Sequence, residues 1–340
     1  MNDAVHRSVR HATRLIRAGR MQEALGALRA TWRAARRLRS SPAGKVSADT
    51  HSTIPEAPPA GRFVTGGYGT AAGLWPYKLY VPEARSAAAP ALVVMLHGCT
   101  QDPDDFADGT GMNALAEREG LLVLYPGQTQ RANRSGCWNW FAERDQQRGA
   151  GEPAVIAGMT REVMAQCGVD PHRVYVAGMS AGAAMALTMA ATYPDLYAAV
   201  GAHSGVPYRA ARDLHSAFAL MRRGPVGGPR RSGGLARFVP AIVFHGDRDE
   251  TVHPSNADEV VAQLRAVGPI ASSELQHGRT PGGHAWSREA WRDEAGRTCI
   301  EHWTVHGGRH AWSGGNARGS YTDPRGPDAS AAMLRFFLEH

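Results

Sequence analysis

Long apolar runs are missing from this 340-residue chain. No uninterrupted stretch approaches the roughly 20 apolar residues that a membrane-spanning helix needs. The start of the chain also lacks the continuous apolar core of a secretory signal, because arginines interrupt it every three or four residues. These absences predict a cytoplasmic protein, with an organelle transit peptide as the alternative for an arginine-rich, acid-poor start.

Basic charge is scarce outside the N-terminal region. Residues 1–39 contain ten arginines against Asp3 and Glu23, an excess larger than the formal charge of +7 of the whole chain. The remaining residues therefore have no basic surplus with which to neutralise phosphates, and the main contribution to nucleic-acid affinity is missing there. We expect no nucleic-acid partner.

Composition divides the chain into three regions. Residues 1–39 repeat apolar side chains at helical spacing on both sides of Gly19, which predicts a basic amphipathic helical hairpin. Its arginine face is a candidate contact with a polymer granule or a membrane surface, and a docking helix pair or a solvated basic arm is the alternative. Residues 40–62 have the proline, serine and glycine content of a linker. Residues 63–340 are long enough for one α/β domain, in which the Gly- and Arg-rich stretch 217–240 predicts a mobile insertion, with a lid as the alternative.

Strand-like and helix-like segments alternate along residues 63–340. Strands are predicted at 77–81, 91–96, 121–125, 173–177, 198–202, 240–244 and 299–305, and helices at 113–119, 155–167 and 329–339. This alternation predicts an α/β fold in which a mostly parallel sheet is covered by helices on both faces. The active sites of such sheets lie at the carboxyl ends of the strands.

The segment Gly178-Met-Ser180-Ala-Gly182 has the spacing of a nucleophile elbow. It follows a β-branched and aromatic run and precedes strong helix formers, so that it lies on a predicted turn from strand to helix. The glycines relieve crowding around a strained serine, and the helix N-terminus directs its dipole at developing negative charge. Ser180 is therefore the candidate nucleophile, and a glycine-rich turn with an idle serine is the alternative.

A serine nucleophile needs a histidine base that is oriented by a carboxylate. In this fold the acid and then the histidine follow the serine along the chain. Three acidic residues compete after the predicted strand 240–244, namely Asp247, Asp249 and Glu250, and each could instead cap a turn. His310 lies in a glycine-rich loop that follows a later predicted strand, and such a loop suits an accessible imidazole.

Two backbone N–H groups are needed to stabilise the oxyanion that forms on attack. One normally belongs to the residue after the nucleophile, here Ala181, and the other to an early strand-to-helix loop. The apolar strand that ends at Leu96 leads into such a loop, where Cys99 is our candidate and Thr100 the alternative.

His302, His306 and His310 are spaced four residues apart, which raises the alternative of a metal-dependent hydrolase. Residues 299–305 are predicted to form a strand, and Gly307-Gly308 breaks any helical continuation. The three rings are therefore not expected to share one metal ion, and we predict neither a metal nor another cofactor.

Six motifs in this order resemble the polyhydroxybutyrate depolymerase family of esterases, whose superfamily includes feruloyl and acetylxylan esterases. They are Leu96-His-Gly-Cys-Thr-Gln101, Gly136-Cys-Trp-Asn-Trp-Phe141, Asp170-Pro-His-Arg-Val-Tyr-Val-Ala-Gly-Met-Ser-Ala-Gly182, His203-Ser-Gly-Val-Pro-Tyr208, His245-Gly-Asp-Arg-Asp-Glu-Thr-Val252 and Gly307-Gly-Arg-His-Ala-Trp312. The resemblance spans roughly residues 65–340. It implies an α/β-hydrolase fold.

The resemblance also assigns roles to matching positions. It implies Ser180 as nucleophile, Asp249 rather than its two neighbours as the orienting acid, and His310 as base. Four cysteines allow three pairings, and the disulfides of secreted relatives imply that Cys99 pairs with Cys137. The family contains both intracellular and secreted members, so an extracellular location is the alternative to the cytoplasm.

Four aromatic residues in or beside these motifs are candidate substrate contacts. They are Trp138, Trp140, Tyr208 and Trp312. An apolar rim built from such side chains would suit a polyester or an aromatic acyl group, and core packing is the alternative.

These observations predict a serine esterase that cleaves poly- or oligo(3-hydroxyalkanoate) through an acyl-enzyme. A feruloyl or acetylxylan esterase, or a general short-chain carboxylesterase, is the nearest alternative. A non-catalytic binding scaffold is the alternative outside enzyme chemistry.

Overall fold

The computed structural model describes residues 61–70, 73–83, 88–225, 235 and 237–340. The chain divides into two units, Met1–Glu56 and Ala57–His340, and every described residue belongs to the second. The predicted hairpin at 1–39 and the predicted linker up to residue 60 lie outside the described residues. Among the described residues, none of the helices has the length and hydrophobicity of a membrane span.

The described part of the second unit alternates strands and helices. Its strands are β1 (Arg62–Thr70), β2 (Gly73–Val81), β3 (Leu92–Leu96), β4 (Leu122–Pro126), β5 (Val174–Met179), β6 (Ala199–His203), β7 (Ala241–Gly246), β8 (Ser272–Arg279), β9 (Ala285–Arg292), β10 (Thr298–His306), β11 (Trp312–Ser313) and β12 (Thr322–Asp323). Its α-helices are α1 (Pro103–Thr110), α2 (Met112–Glu119), α3 (Gly151–Cys167), α4 (Ala181–Thr192), α5 (Leu214–Arg223), α6 (Ser255–Arg265) and α7 (Ala329–Leu338). A short 3-10 helix spans Glu143–Gln146.

Ten of these strands form one sheet in the order β1-β2-β4-β3-β5-β6-β7-β10-β9-β8. The run from β4 to β10 is parallel, and antiparallel strands extend it at both edges. The predicted mostly parallel sheet is confirmed. Its parallel strands end at one edge, where Ser180, Asp249 and His310 follow β5, β7 and β10.

The central strands of the sheet are buried on both faces. Along β3, Leu92, Val94 and Leu96 pack into one core and Val93 and Met95 into the other, and all five are fully buried. Helices α3, α4 and α6 cover the first face, and α1, α2 and α7 cover the second. Burial on both sides explains why the central strands are continuous apolar runs rather than alternating ones.

The structure corrects the predicted insertion at 217–240. Its first seven residues belong to α5, which starts at a capping box between Asp213 and Ser216 and buries Ala217 and Leu220. The sequence did not predict this helix because α5 buries only a narrow apolar stripe, and the stretch that follows it is basic and rich in glycine. Residues 226–234 and 236 of the insertion lie outside the described residues.

Candidate active site

Ser180 occupies a sharp turn between β5 and α4. Its backbone has φ 57° and ψ −120°, a conformation that is strained for a residue with a Cβ. A Cβ at Gly178 would lie 2.7 Å from the carbonyl oxygen of Leu96, and a Cβ at Gly182 would collide with the same atom. The two glycines of the motif therefore let the elbow pack directly against the end of β3, as a nucleophile elbow requires.

Asp249 and His310 meet across the ends of β7 and β10. Nδ1 of His310 lies 2.7 Å from Oδ2 of Asp249. Because a carboxylate only accepts, Nδ1–H donates and the Nε2 lone pair of the neutral ring stays available for a proton. The other carboxylate oxygen accepts from the N–H groups of Thr251 and Val252 at 2.9 and 2.8 Å. Asp249 is thereby held in the orientation that a triad acid needs.

The Asp249 carboxylate is charged although its side chain is fully buried. Burial alone would raise its pKa, but the charges and hydrogen bonds of His310 and His245 together hold the pKa of Asp249 far below its ordinary value. The site therefore presents an anion to the imidazole across the physiological pH range.

His245 is a second histidine beside the same acid, and its role was not predicted. Its Nε2 lies 2.9 Å from the carbonyl oxygen of Val252 and 3.4 Å from Oδ2 of Asp249, so Nε2 carries the proton. Nδ1 is buried without a hydrogen-bond partner. The sequence signal was the His-Gly turn before Asp249, which resembles an ordinary strand end.

His203 connects the elbow to the loop that carries His310. Its carbonyl accepts from the N–H of Ser180 at 2.9 Å, and its Nε2 accepts from the N–H of Ser313 at 3.0 Å. The ring stacks between Phe244 and Trp312. Burial, followed by the nearby His245 and His310, lowers the pKa of His203 to about 3, so the ring stays neutral and keeps accepting the Ser313 N–H.

Two backbone N–H groups beside Ser180 have no hydrogen-bond acceptor in the described part of the chain. Ala181 is the first residue of α4, where no intrahelical acceptor exists, and Cys99 follows the end of β3. The N–H of Thr100 instead donates to the carbonyl of Ser135 at 3.1 Å. This geometry favours Cys99 over Thr100 as the second oxyanion donor.

Gln101 and a disulfide hold the Cys99 loop. Oε1 of Gln101 accepts from the N–H of Gly98 at 2.9 Å, a contact that the sequence did not predict. The predicted Cys99–Cys137 disulfide is present and ties the same loop to the segment after β4. Trp138 adds a hydrogen bond of 3.1 Å from Nε1 to the carbonyl of His97. The loop is thus fixed from three directions.

A buried carboxylate supports the segment that the disulfide joins to the Cys99 loop. Glu152, at the start of α3, accepts from the N–H of Asn139 at 2.7 Å and from Nε2 of Gln128 at 2.6 Å. Gln128 in turn donates its backbone N–H to Nε2 of His97 at 3.1 Å. Burial, and then the nearby Asp145, raise the pKa of Glu152 to about 7.

The predicted apolar rim needs correction. Trp138 and Trp312 are at most 1% exposed, and Trp140 and Tyr208 are also buried. Two of them use their polar atoms within the protein as well: Nε1 of Trp312 donates to Oγ of Ser330, and the Tyr208 hydroxyl donates to the carbonyl of Gln146. These aromatic residues are therefore packed in the interior, which was the alternative to a substrate-binding rim.

The three histidines spaced four apart do not converge. His302 is partly exposed on β10, and burial lowers its pKa to about 4. His306 contacts Asp247 and His310 contacts Asp249, so these two histidines have separate acidic partners. Among the residues that the structure describes, no group of three or more His, Cys, Asp or Glu side chains is placed to hold a metal ion.

A solved structure shares this architecture. Acetyl xylan esterase from Aspergillus awamori matches with a TM-score of 0.64 and 21% identity, over 82% of this chain and all of that one. At this identity the likeness shows the fold alone. The predicted α/β-hydrolase fold is confirmed.

Curated relatives are esterases and a depolymerase. Poly(3-hydroxyalkanoate) depolymerase C of Paucimonas lemoignei is 36% identical over 252 residues, which cover 72% of this chain and 60% of that protein. Feruloyl esterase B of Neurospora crassa is 32% identical over 203 residues, or 55% of this chain and 68% of that protein. A probable acetylxylan esterase A of Aspergillus fumigatus is 32% identical over 204 residues, 56% of this chain and 54% of that protein. The chain thus spans little more than half of the first relatives that it matches.

The family comparison agrees with the motifs and with the fold. The family model described as Esterase PHB depolymerase matches residues 75–280, more than half of the chain, and this stretch includes Ser180 and Asp249. The chain belongs to the Esterase PHB depolymerase family.

Proposed function

We propose that this protein is a serine carboxylic-ester hydrolase. Oγ of Ser180 attacks the ester carbonyl while Nε2 of His310 takes the hydroxyl proton, and Asp249 stabilises the imidazolium. The N–H groups of Cys99 and Ala181 bind the oxyanion. The imidazolium then gives its proton to the leaving alcohol, and water, activated by the same ring, hydrolyses the acyl-enzyme.

One observation carries this proposal. A strained serine, a hydrogen-bonded Asp–His pair at 2.7 Å and two unpartnered N–H groups are gathered at the carboxyl edge of one sheet. Strain and unpartnered donors oppose folding, and they persist where function requires them.

The proposed substrate is a poly- or oligo(3-hydroxyalkanoate). Family membership and the name of the relative from Paucimonas lemoignei support this substrate class. Feruloyl or acetylated-xylan esters are the second candidate, favoured by the relatives of those names. A substrate panel separates the two.

The experiment compares the purified full chain with Ser180→Ala. Hydroxyalkanoate oligomers, amorphous polyhydroxybutyrate granules, feruloyl esters, acetylated xylan and nitrophenyl esters are supplied in parallel. We expect hydroxyalkanoate oligomers to give the highest kcat/KM and Ser180→Ala to lose at least about 10³-fold in kcat. Hydrolysis by Ser180→Ala near the wild-type rate would overturn the mechanism.

Two controls address the alternatives outside this chemistry. A fluorophosphonate probe should label the wild-type protein and spare Ser180→Ala, whereas an idle scaffold serine would not react. Hydrolysis that disappears with a chelator and returns with added metal would instead favour a metal-dependent hydrolase.

Contact with a granule surface is a further part of the proposal. The ten arginines of residues 1–39, at amphipathic spacing, support binding to an anionic or amphiphilic surface. Replacing Arg33, Arg36 and Arg37 by Gln in the full chain should reduce co-sedimentation with granules without changing hydrolysis of a soluble ester. Unchanged sedimentation would contradict this contact.

The proposed compartment is extracellular. Disulfides persist in oxidising environments, so the Cys99–Cys137 bond supports the extracellular alternative over the cytoplasmic one. Alkylation of the protein in freshly lysed source cells, followed by mass spectrometry, should find these two cysteines blocked. Two reactive thiols at these positions would favour the cytoplasm.

A further inference from the structure

A second chain of polar side chains lies beside the proposed triad and takes no part in its mechanism. Nδ1 of His277 lies 2.9 Å from Oγ of Ser287, and the same Oγ lies 2.7 Å from Nε2 of His306. Nδ1 of His306 lies 3.0 Å from Oδ2 of Asp247. The array therefore runs from β8 through β9 and β10 to the loop after β7.

The direction of each hydrogen bond follows from chemistry. Asp247 can only accept, so His306 donates through Nδ1–H and its Nε2 accepts from the Ser287 hydroxyl. Ser287 has one proton and uses it there, so its oxygen accepts from Nδ1–H of His277. With both rings neutral, each donor has an acceptor and the array has one defined proton arrangement.

This array repeats the order serine, histidine and aspartate, but it is not built as a second nucleophile. Ser287 lies within β9, paired with His277 of β8 on one side and with Thr304 of β10 on the other. The backbone around Ser287 is paired with strands on both sides. An attacking serine instead lies at a turn, beside free N–H groups that can bind the oxyanion. The role of the array therefore depends on the backbone groups that Asp247 binds.

Asp247 holds the loop that leads to His310. Its Oδ1 accepts from the N–H of Gly307 at 2.7 Å, and its own N–H donates to the carbonyl of Val305 at 3.1 Å. The next residue continues the contact, since the N–H of Arg248 donates to the carbonyl of Gly308 at 2.9 Å. Hydrogen bonds therefore join the loop before Asp249 to the segment before His310.

The joined segment needs such support. Gly307 has φ 81° and is followed by Gly308, so the chain before His310 combines two residues of high conformational freedom. A misplacement of about 1 Å at a reacting group can cost on the order of 100-fold in rate. Side chains that fix Gly307 would therefore act on catalysis without touching substrate.

We infer that Asp247 and His306 are positioning residues for His310, supported from the β8–β9 hairpin by Ser287 and His277. The inference rests on the proposed function, because His310 is the base only if the protein is a serine hydrolase. Asp247 fixes the loop backbone at Gly307, and His306 fixes the Asp247 carboxylate.

The test uses the full chain with Asp247→Ala, His306→Ala and His306→Asn. Asn can donate from Nδ2 near the position of the imidazole Nδ1, so it restores the hydrogen bond to Asp247 that Ala removes. Glu274→Gln is the matched control, since Glu274 lies on the same hairpin and is half-exposed, but pairs with Arg292 outside the array. Kinetics are measured with a short nitrophenyl ester, and folding is followed by thermal unfolding.

We expect Asp247→Ala to lower kcat about tenfold with KM within about twofold, because alignment of the base is lost while binding is kept. His306→Ala should lower kcat less, His306→Asn should recover at least half of that loss, and Glu274→Gln should match the wild type. The Asp247→Ala and His306→Ala losses should not add in the double variant, because the two residues act as one unit. A kcat of Asp247→Ala within twofold of the wild type, or a loss in His306→Ala that Asn does not rescue, would overturn the inference.

A spectroscopic measurement separates this inference from the proposed function. The Nδ1 proton of a histidine bonded to a buried carboxylate gives a strongly downfield proton resonance, which for His310 is assigned by its loss in His310→Ala. We expect it to broaden or vanish in Asp247→Ala and to persist in Glu274→Gln, whatever the enzyme hydrolyses. A wild-type protein that hydrolyses no ester would reject the proposed function, whereas an unchanged resonance in Asp247→Ala would reject the positioning role.

Discussion

Five histidines near the carboxyl edge of the sheet differ in what their ring nitrogens contact and in how far they reach solvent. In His97, His203 and His306 both nitrogens have protein partners. In His245 one nitrogen is bonded and the other is fully buried. His310 alone among these five combines a bonded Nδ1 with an Nε2 that has no partner and a side chain that reaches solvent. The environment of each ring, and not its residue type, selects the base.

Asp249→Asn should lower kcat by about 10⁴-fold, because the amide would favour the wrong imidazole tautomer, as it does in other serine hydrolases. The fold should survive, since one oxygen still accepts from the loop N–H groups. Steady-state kinetics with circular dichroism measure both. The control is Glu250→Gln, an exposed neighbour that should keep kcat within about twofold. Equal losses in the two variants would contradict the assignment of the acid.

Glu152 makes folding stability depend on pH. Its pKa of about 7 in the folded protein lies above the ordinary 4.5, so the protonated form is favoured by folding. This contribution is complete below about pH 4.5 and is lost as the pH rises through 7. We expect the free energy of unfolding to fall by up to about 3 kcal/mol from this group between pH 4.5 and 8, measured by urea denaturation. Glu152→Gln should remove that decline, and parallel curves for the two proteins would disprove it.

At the scale of elements, the elbow depends on close contact between β3 and the start of α4. Gly182 lies over the carbonyl oxygens of Leu96 and His97, with no room for a side chain. Cys99, the proposed second oxyanion donor, follows that same strand, so the spacing of β3 and α4 also sets the distance between the two proposed donors. Packing and catalysis are coupled at this contact.

Gly182→Ala should therefore destabilise the protein and impair turnover together. We expect a loss of about 2–4 kcal/mol in the free energy of unfolding, as for overpacked backbone sites, and at least a tenfold fall in kcat. Gly69→Ala is the matched control, because a Cβ there meets nothing within 4 Å. Denaturant unfolding and ester hydrolysis are measured for both. A Gly182→Ala enzyme with wild-type kcat would show that the contact is not needed.

At the scale of the whole molecule, the site is assembled from distant parts of the chain. Ser180, Asp249 and His310 follow β5, β7 and β10. Strand β6 lies between β5 and β7, and its His203 is hydrogen-bonded to the backbone of both Ser180 and Ser313. The Cys99–Cys137 disulfide closes a loop of 38 residues beside this assembly. Such a bond stabilises chiefly by restricting the unfolded chain.

Replacing both Cys99 and Cys137 by Ala should lower the free energy of unfolding by about 4 kcal/mol in the chain-entropy picture. The backbone N–H of residue 99 remains, so hydrolysis should be reduced rather than abolished. Urea denaturation and kcat are compared with Cys167→Ser, which lies outside the disulfide. Equal stability of the double variant and the wild type would show that the bond restrains little.

Much of the fold was predictable because it depends on local sequence. The apolar runs of β3, β5, β7 and β10 and the periodicity of α3 predicted the central sheet and its helices. Strand β8 was missed because its residues are mostly exposed and polar, and α5 because its composition resembled a loop. Edge elements carry weak patterns since they bury little surface.

The sequence by itself determined the family and predicted Ser180 as the nucleophile and the order of the triad, because glycine spacing and motif order are local properties of the chain. Only the tertiary structure decided that Thr100 is engaged while Cys99 is available, that the motif aromatics are buried, and that His203, His245 and Asp247 support the triad. Each of these depends on contacts between residues far apart in sequence. Such contacts form only when the strands are aligned at one edge of the sheet, and no local pattern records them.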